Sequence, residues 1–229
     1  MIRFHAPAAR KATTAPRNSL NYNDFRALQG IIAAVRDGKV IAHRRSSALK
    51  TLYLLRHTKA VEHDPDSTDH ARSLAKRGIN ASKALAAYLA ARSAAGDLHV
   101  DRIFCSTARR TRETYEFIAP ALPGAPVAYS DQLYLLTASE LMEFIRGLPG
   151  TAGGVMIIGH NPTLHAMALG LVGAAAPSQA EAYAALKEKY PTGALCRLQF
   201  DVARWRQVEL GGGMLTDFVR PSDLDGGKL

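Results

Sequence analysis

Three short clusters in this 229-residue chain combine histidine and arginine in a pattern suited to holding an anion. Arg56-His57 follows the apolar run Leu52-Tyr53-Leu54-Leu55. Ser106 follows the strand-like run Val100 to Cys105, with Arg109, Arg110 and Arg112 on the opening turns of the next helix. Gly159-His160-Asn161-Pro162 follows Val155-Met156-Ile157-Ile158. Any one of these is an ordinary polar turn. Together they share a position, because each begins where a strand-like run stops. In open α/β sheets ligands gather beyond the carboxyl ends of the strands. The placement therefore predicts a rim where two histidines and several arginines converge from distant parts of the chain. Guanidinium forks match the geometry of a dianion such as a phosphoryl group, and helix N-termini add backbone donors.

The elements that must position these clusters read as follows. Strands are expected at Leu52–Leu55, Val100–Cys105 and Val155–Ile158, and closing strands at Leu195–Val202, Trp205–Leu210 and Met214–Val219. Helices are expected over Leu74–Ala94, from about Thr107 to Ala119, and after Pro162. Thr137-Ala138-Ser139-Glu140 reads as a capping box that opens a helix to Arg146. Strands alternating with helices predict an α/β three-layer sandwich with a mostly parallel central sheet flanked by helices.

The chain is 47% hydrophobic and 21% charged, too apolar for a largely disordered protein. Its longest Gly/Ala-rich apolar run, Ala166 to Ala176, is shorter than the roughly 20 residues a bilayer-spanning helix requires. The net charge of +9 invites a nucleic-acid reading, but it is unevenly placed. Residues 1–50 hold ten Lys/Arg and two acids, whereas residues 51–229 hold 19 Lys/Arg and 18 acids. Residues 1–49 are expected to be a basic extension, partly disordered, and residues 50–229 the functional domain. Within the extension, Phe25, Leu28, Ile31, Ile32 and Val35 recur at helical spacing, and His43-Arg44-Arg45-Ser46-Ser47 reads as a linker. The charges of the extension are scattered and few aromatics accompany them, so neither a nucleic-acid nor a membrane partner is expected. The first twenty residues fit either a transit peptide for an organelle matrix or an extension of a cytoplasmic protein. Cys105 and Cys196 form no disulfide framework.

Several chemistries are excluded by spacing. Six residues after Cys105 stands Thr111, and six after Cys196 stands Val202, so no Cys-x5-Arg phosphatase loop exists. The chain has no G-x-x-x-x-G-K-[ST] loop, no G-x-S-x-G elbow and no G-x-G-x-x-G after a strand; Gly211-Gly212-Gly213 reads as a hairpin turn. His63-Asp64-Pro65-Asp66 with His70 lacks regular ligand spacing, and His160 and His165 are misaligned on a helix, so no metal and no cofactor are expected.

The segment Leu52-Tyr53-Leu54-Leu55-Arg56-His57-Thr58-Lys59-Ala60 resembles the RHG signature of the histidine phosphatases, the phosphoglycerate-mutase-like superfamily. Asp69-His70-Ala71-Arg72-Ser73-Leu74, followed by Gly78, resembles the D-x-x-R-x-L-x-x-x-G segment of the SixA-type phosphohistidine phosphatases. Ser106-x3-Arg110-x3-Thr114, Leu133-Tyr134 before a helix, and Gly159-His160-Asn161-Pro162 complete the order from about Thr51 to Leu224. The resemblance implies that His57 is the nucleophile, that Arg56 and Arg110 grip phosphoryl oxygens, and that His160 donates to them. Arg72, Thr58 and Asn161 are further candidates for binding the substrate.

Three departures from the pattern matter. Thr58 replaces the signature glycine and is expected to place a side chain beside the phosphate. Thr107 replaces a common proline and is expected to cap the following helix. The general-acid glutamate of mutase-like members has no counterpart near Asp131-Gln132-Leu133-Tyr134-Leu135, and Glu140 is explained by the capping box. A protonated phosphohistidine expels neutral imidazole and needs no such acid, unlike an alkyl phosphate. The expected function is therefore phosphohistidine dephosphorylation, the partner being a phosphorylated substrate such as a phosphohistidine-carrying signalling protein. A broad phosphomonoesterase, with Asp131, Asp64 or Asp66 as the acid, and a non-catalytic phosphate-binding relative are the alternatives. The sequence fixes no oligomeric state.

Overall fold

The computed structural model describes residues 32–36, 39–43, 49–175 and 177–224. The chain divides into two units, Met1–Arg44 and Arg45–Leu229. In the first, β1 (Ile32–Arg36) pairs antiparallel with β2 (Lys39–His43), Ile32 opposite His43 and Arg36 opposite Lys39. The helical spacing through Ile32 and Val35 thus gives a strand; Phe25, Leu28 and Ile31 lie outside the described residues, as does Arg44 to Ser47 of the expected linker. The reason lies in the sequence: Asp37-Gly38 between two short runs containing β-branched residues is a hairpin signal. That signal outweighs a few apolar residues at helical spacing.

The second unit alternates strand and helix: β3 (Lys50–Arg56), α1 (Lys76–Ala94), β4 (Arg102–Ser106), α2 (Arg109–Ile118), β5 (Val127–Ser130), α3 (Gln132–Leu135), α4 (Ala138–Arg146) and β6 (Gly154–Gly159). It continues with α5 (Thr163–Leu171), β7 (Val172–Ala175), α6 (Ala180–Glu188), β8 (Leu195–Phe200), β9 (Gly213–Val219) and α7 (Pro221–Leu224). The seven strands form one sheet in the order β5-β4-β6-β3-β8-β9-β7. Within it β8 runs antiparallel to both neighbours, and the other pairs are parallel.

The three layers follow from the two-residue period of a strand. Leu52, Leu54, Val155 and Ile157 pack on one face beneath α4, α5 and α6, with Leu141, Ile145, Leu164, Met167 and Leu186. Tyr53, Leu55, Met156 and Ile158 pack on the other face beneath α1 and α2, with Leu85, Leu89 and Ile118. Strands buried on both faces read as continuous apolar runs, which is why β3 and β6 are visible in the sequence. The capping box forms as expected: Thr137 N–H donates to Glu140 Oε2 at 2.8 Å, and Glu140 N–H donates to Thr137 Oγ1 at 3.3 Å.

Other elements differ from expectation. Trp205–Leu210 is not a strand; Trp205–Gln207 is a 3-10 turn that buries the indole and lets its N–H donate to Ala152 O at 2.8 Å. The connection between β8 and β9 is therefore longer than a tight hairpin. The apolar run from Ala166 breaks at Val172, where β7 begins. There Gly173 lets the backbone pass close to Gly211, since a Cβ would lie 1.7 Å from Gly211 O. Gly78 has a comparable role, because a Cβ would lie 2.0 Å from Lys59 O and push α1 off the loop that follows β3. Among the described residues, no helix is long and apolar enough to cross a membrane.

Candidate active site

β3, β6 and β4 are adjacent and parallel, so their carboxyl ends lie side by side. The register pairs Arg56 with Gly159, and His57 N–H donates to Gly159 O at 3.2 Å, which places His57 beside His160. Their ring centroids are 5.2 Å apart. Ser106 ends β4 and starts the turn into α2, whose second residue is Arg110. Arg110 Nε lies 3.3 Å from His57 Nε2, and its Nη2 lies 3.3 Å from His160 Nδ1. The four residues expected at the rim, Arg56, His57, Arg110 and His160, are brought together. Arg56 donates from Nη1 to Tyr190 O at 2.8 Å, and its buried Nε has no partner among the described residues. A buried donor left this way costs about 1–3 kcal/mol unless a ligand or water takes it.

Hydrogen bonding fixes the proton on His57. Its Nδ1 lies 2.7 Å from the Thr58 carbonyl, an acceptor only, so Nδ1 carries the hydrogen and Nε2 keeps its lone pair. Burial, joined by the charges of Arg110, Arg56 and Arg72, pushes the His57 pKa down to about 3. His160 is likewise pushed down to about 3, by burial, then by His57 and Arg110. Its Nδ1 faces Arg110 Nη2 at 3.3 Å, a donor only, so Nδ1 accepts and Nε2 carries the hydrogen, donating to Ser106 Oγ at 2.9 Å.

These shifts give stability a pH dependence. Between about 3 and about 6.5 the folded imidazoles bind fewer protons than the unfolded ones, so stability rises with pH and is lost as pH falls below 6.5. The slope reaches at most about 1.4 kcal/mol per pH unit per histidine. Chemical denaturation at pH 7 and pH 4.5 should show this loss, and His57→Gln should reduce it. An unchanged difference in that variant would refute the assignment.

The other expected binding residues are placed differently. Thr58 is fully buried with its hydroxyl turned behind the rim, 2.8 Å from Ser82 Oγ and 3.3 Å from Thr114 Oγ1. It joins β3 to α1 and α2 instead of lining a phosphate site. Thr58→Gly should lower stability by about 2–3 kcal/mol, through a lost hydrogen bond, an added cavity and extra backbone freedom. It should leave kcat within about threefold; a larger change with intact folding would return the side chain to the site. Asn161 spends its amide donor on Tyr190 O at 3.0 Å, so it holds the loop that also anchors Arg56. Arg72 reaches Asp69 Oδ1 at 2.6 Å and the Val61 carbonyl at 2.7 Å. Thr107 does not cap α2, whose N-cap is Ala108; it donates to Asp131 Oδ1 at 2.5 Å and meets His70 Nε2 at 3.0 Å. His165 contacts the Leu186 carbonyl at 2.8 Å, away from His160.

Sequence reasoning did not single out three participants. Asp69 receives Arg110 Nη2 at 2.9 Å on Oδ2, Arg110 Nη1 at 2.6 Å on its carbonyl, and the Tyr134 hydroxyl at 2.7 Å on Oδ2. Hydrogen bonds from Tyr134 and Arg72 hold its carboxyl well below the usual carboxylate range. Tyr134 stacks edgewise on His160 with centroids 5.3 Å apart. Tyr190 is buried, with its hydroxyl donating to Leu54 O at 2.6 Å. Asp69 and Tyr134 lie inside the quoted motifs, so a signal was present. Tyr190 had none, since its contribution is a backbone carbonyl.

A structure assigned as the SixA phosphohistidine phosphatase of Nakamurella multipartitia is 28% identical, with a TM-score of 0.61 over 76% of this chain and 96% of the other. One so assigned from Agrobacterium tumefaciens is also 28% identical, with a TM-score of 0.61 over 75% and 98%. The chain belongs to the histidine phosphatase superfamily. Within it the likeness is to the SixA-type branch. This histidine phosphatase is also 32% identical over 168 residues to an uncharacterized protein of Mycobacterium tuberculosis, covering 73% of this chain and 99% of that one. No family model matches the chain. Among the described residues, no three His, Cys, Asp or Glu side chains are grouped so as to hold a metal ion.

Proposed function

We propose that this histidine phosphatase removes the phosphoryl group from phosphohistidine in a protein, through a covalent phosphohistidine on His57. One observation carries the reading: a neutral, desolvated imidazole whose Nε2 lone pair meets the Arg110 guanidinium, its other nitrogen committed to the Thr58 carbonyl. His57 Nε2 attacks phosphorus in line, forming the N–P bond as the substrate's bond to phosphorus breaks. Arg56 and Arg110 neutralise the equatorial oxygens, where phosphoryl transfer gains most. When a phosphoryl oxygen comes between Arg110 and His160, the Ser106 hydroxyl turns to donate to Nε2, the proton moves to Nδ1, and His160 donates from there to the oxygen that Arg110 also holds. Water then displaces His57 in a second, equivalent step, and phosphate departs.

The available acids support the substrate choice. Asp69, the carboxylate on Arg110, is held ionised and has no proton to give. Asp131 accepts from Thr107, and the Glu140 carboxylate closes the capping box. An alkyl ester needs an acid to protonate its alkoxide, whereas protonated phosphohistidine leaves as neutral imidazole. Side-by-side turnover of a phosphohistidine protein and glycerol phosphate tests this. The phosphohistidine protein should be favoured by at least a hundredfold in kcat/KM. A preference for the alkyl ester would overturn the substrate choice.

A further inference from the structure

We propose that Asp69 is a specificity-determining group, a fixed anion beside the phosphoryl seat that selects substrates whose leaving group carries a positive charge or an N–H, and rejects those bearing further negative charge. The inference rests on the phosphatase reading above and deepens it.

The Arg110 guanidinium acts as the measure of distance. Its Nε edge meets the His57 lone pair at 3.3 Å, and its Nη edge meets Asp69, at 2.9 Å on the carboxylate and 2.6 Å on the carbonyl. The attacking nitrogen and the carboxylate thus occupy two edges of one planar fork. A phosphoryl group held over that fork with His57 in line directs its leaving group away from His57 and toward the Asp69 side. Asp69 is ready to meet it: its side chain is 44% exposed, and it is fixed by Arg72 at 2.6 Å and the Tyr134 hydroxyl at 2.7 Å. The 3-10 turn Asp69–Ala71, closed by Thr68, sets its position.

The carboxylate's effect depends on what leaves. A phosphoimidazole protonated on its far ring nitrogen presents an N–H, which the carboxylate accepts and so stabilises the reactive cation. When the N–P bond breaks, that ring departs as neutral imidazole, keeping its proton and taking the bonding pair. His57 becomes the phosphorylated imidazolium, its Nδ1–H still on Thr58. Charge and atoms balance without another reactant. An aryl or alkyl phosphate instead develops an oxyanion facing a carboxylate, and a substrate carboxylate there is repelled from the start.

The test compares kcat/KM for phosphoimidazole and p-nitrophenyl phosphate in the full chain and in Asp69→Asn. The ratio of the two should fall at least tenfold in the variant, and Asp69→Glu should recover most of it. A merely structural role, aiming Arg110, would lower both substrates together, and a ratio unchanged within twofold would overturn the proposal. A second measurement needs no variant: aminomethylphosphonate should inhibit the wild-type chain at least tenfold more tightly than phosphonoacetate, and equal or reversed affinities would also overturn it. A wild-type chain that forms no phosphoenzyme sinks the phosphatase reading itself. One that forms it with an unchanged ratio sinks only the role of Asp69.

Discussion

Replacing His57 by alanine should abolish the phosphoenzyme. In rapid-quench labelling with a radioactive phosphodonor, the unaltered chain should yield an acid-labile phosphoenzyme and His57→Ala none. Turnover should fall by on the order of 10⁴-fold or more, as expected when a covalent nucleophile is lost. The fold should survive. The ring is buried, but its Nδ1 bonds only the carbonyl of the next residue, and the one hydrogen-bonding tie to another element that its removal severs is the 3.3 Å contact from Arg110 Nε, while Arg110 keeps Asp69 and His160. Folding is checked by near-ultraviolet circular dichroism. Labelling of a folded His57→Ala chain at the wild-type level would place the nucleophile elsewhere.

Arg110→Ala should also be strongly damaging, though less so and by a different route. Arg110 is 6% exposed, touches both histidines and holds Asp69, so in the proposed mechanism it would sit where charge develops in the transition state. Losing one such preorganised donor costs about 2.7–4 kcal/mol, or about 10²–10³ in kcat. Arg110→Lys should restore little, because an ammonium cannot span His57, His160 and a phosphoryl oxygen as a planar fork does. A second readout separates this from general damage. Arg110 is one of the charges that lower the His57 pKa, so its removal lets that pKa rise from about 3. The acid limb of kcat/KM should then move to higher pH in Arg110→Ala and stay in place in Arg110→Lys. An acid limb that does not move in Arg110→Ala would contradict the pairing. The remaining carboxylate is not orphaned, since Asp69 keeps Arg72 and the Tyr134 hydroxyl.

The parts of the molecule legible in the sequence are those whose position and chemistry coincide. β3 and β6 are buried on both faces, so they stand out as apolar runs, and the residues that directly follow them are the rim histidines. The Thr137 capping box is equally plain, because both partners are three residues apart. Elements at the sheet margin were hidden. β5 and β7 have four residues each, and β7 continues an apolar run that a helix has just left. Side-chain direction was the harder problem. Thr58 follows the candidate nucleophile, yet its hydroxyl faces Ser82 across the core, which no spacing rule reveals. Thr107 was expected to cap a helix, but the presence of Asp131 and His70 on neighbouring loops decides its partners. Asp69 was visible as part of a motif but silent as to role, since its meaning comes from a guanidinium 41 residues away.

β8, the strand that opposes its neighbours, has a consequence for how the molecule matures. Because it runs the other way, it begins where β3 ends, with Leu195 paired to Leu55. The residues leading into it reach the rim that carries both histidines: Tyr190 O holds Arg56 Nη1, Arg56 N–H donates to Ala194 O, and Gly193 N–H donates to His57 O at 2.9 Å. A chain emerging from the ribosome therefore displays both histidines and Arg110 well before it can anchor Arg56, whose partner lies 134 residues downstream. Such long-range closure comes late in folding. A chain that stops short of β8 would carry the rim side chains of His57, Arg110 and His160 without the backbone carbonyls that hold Arg56.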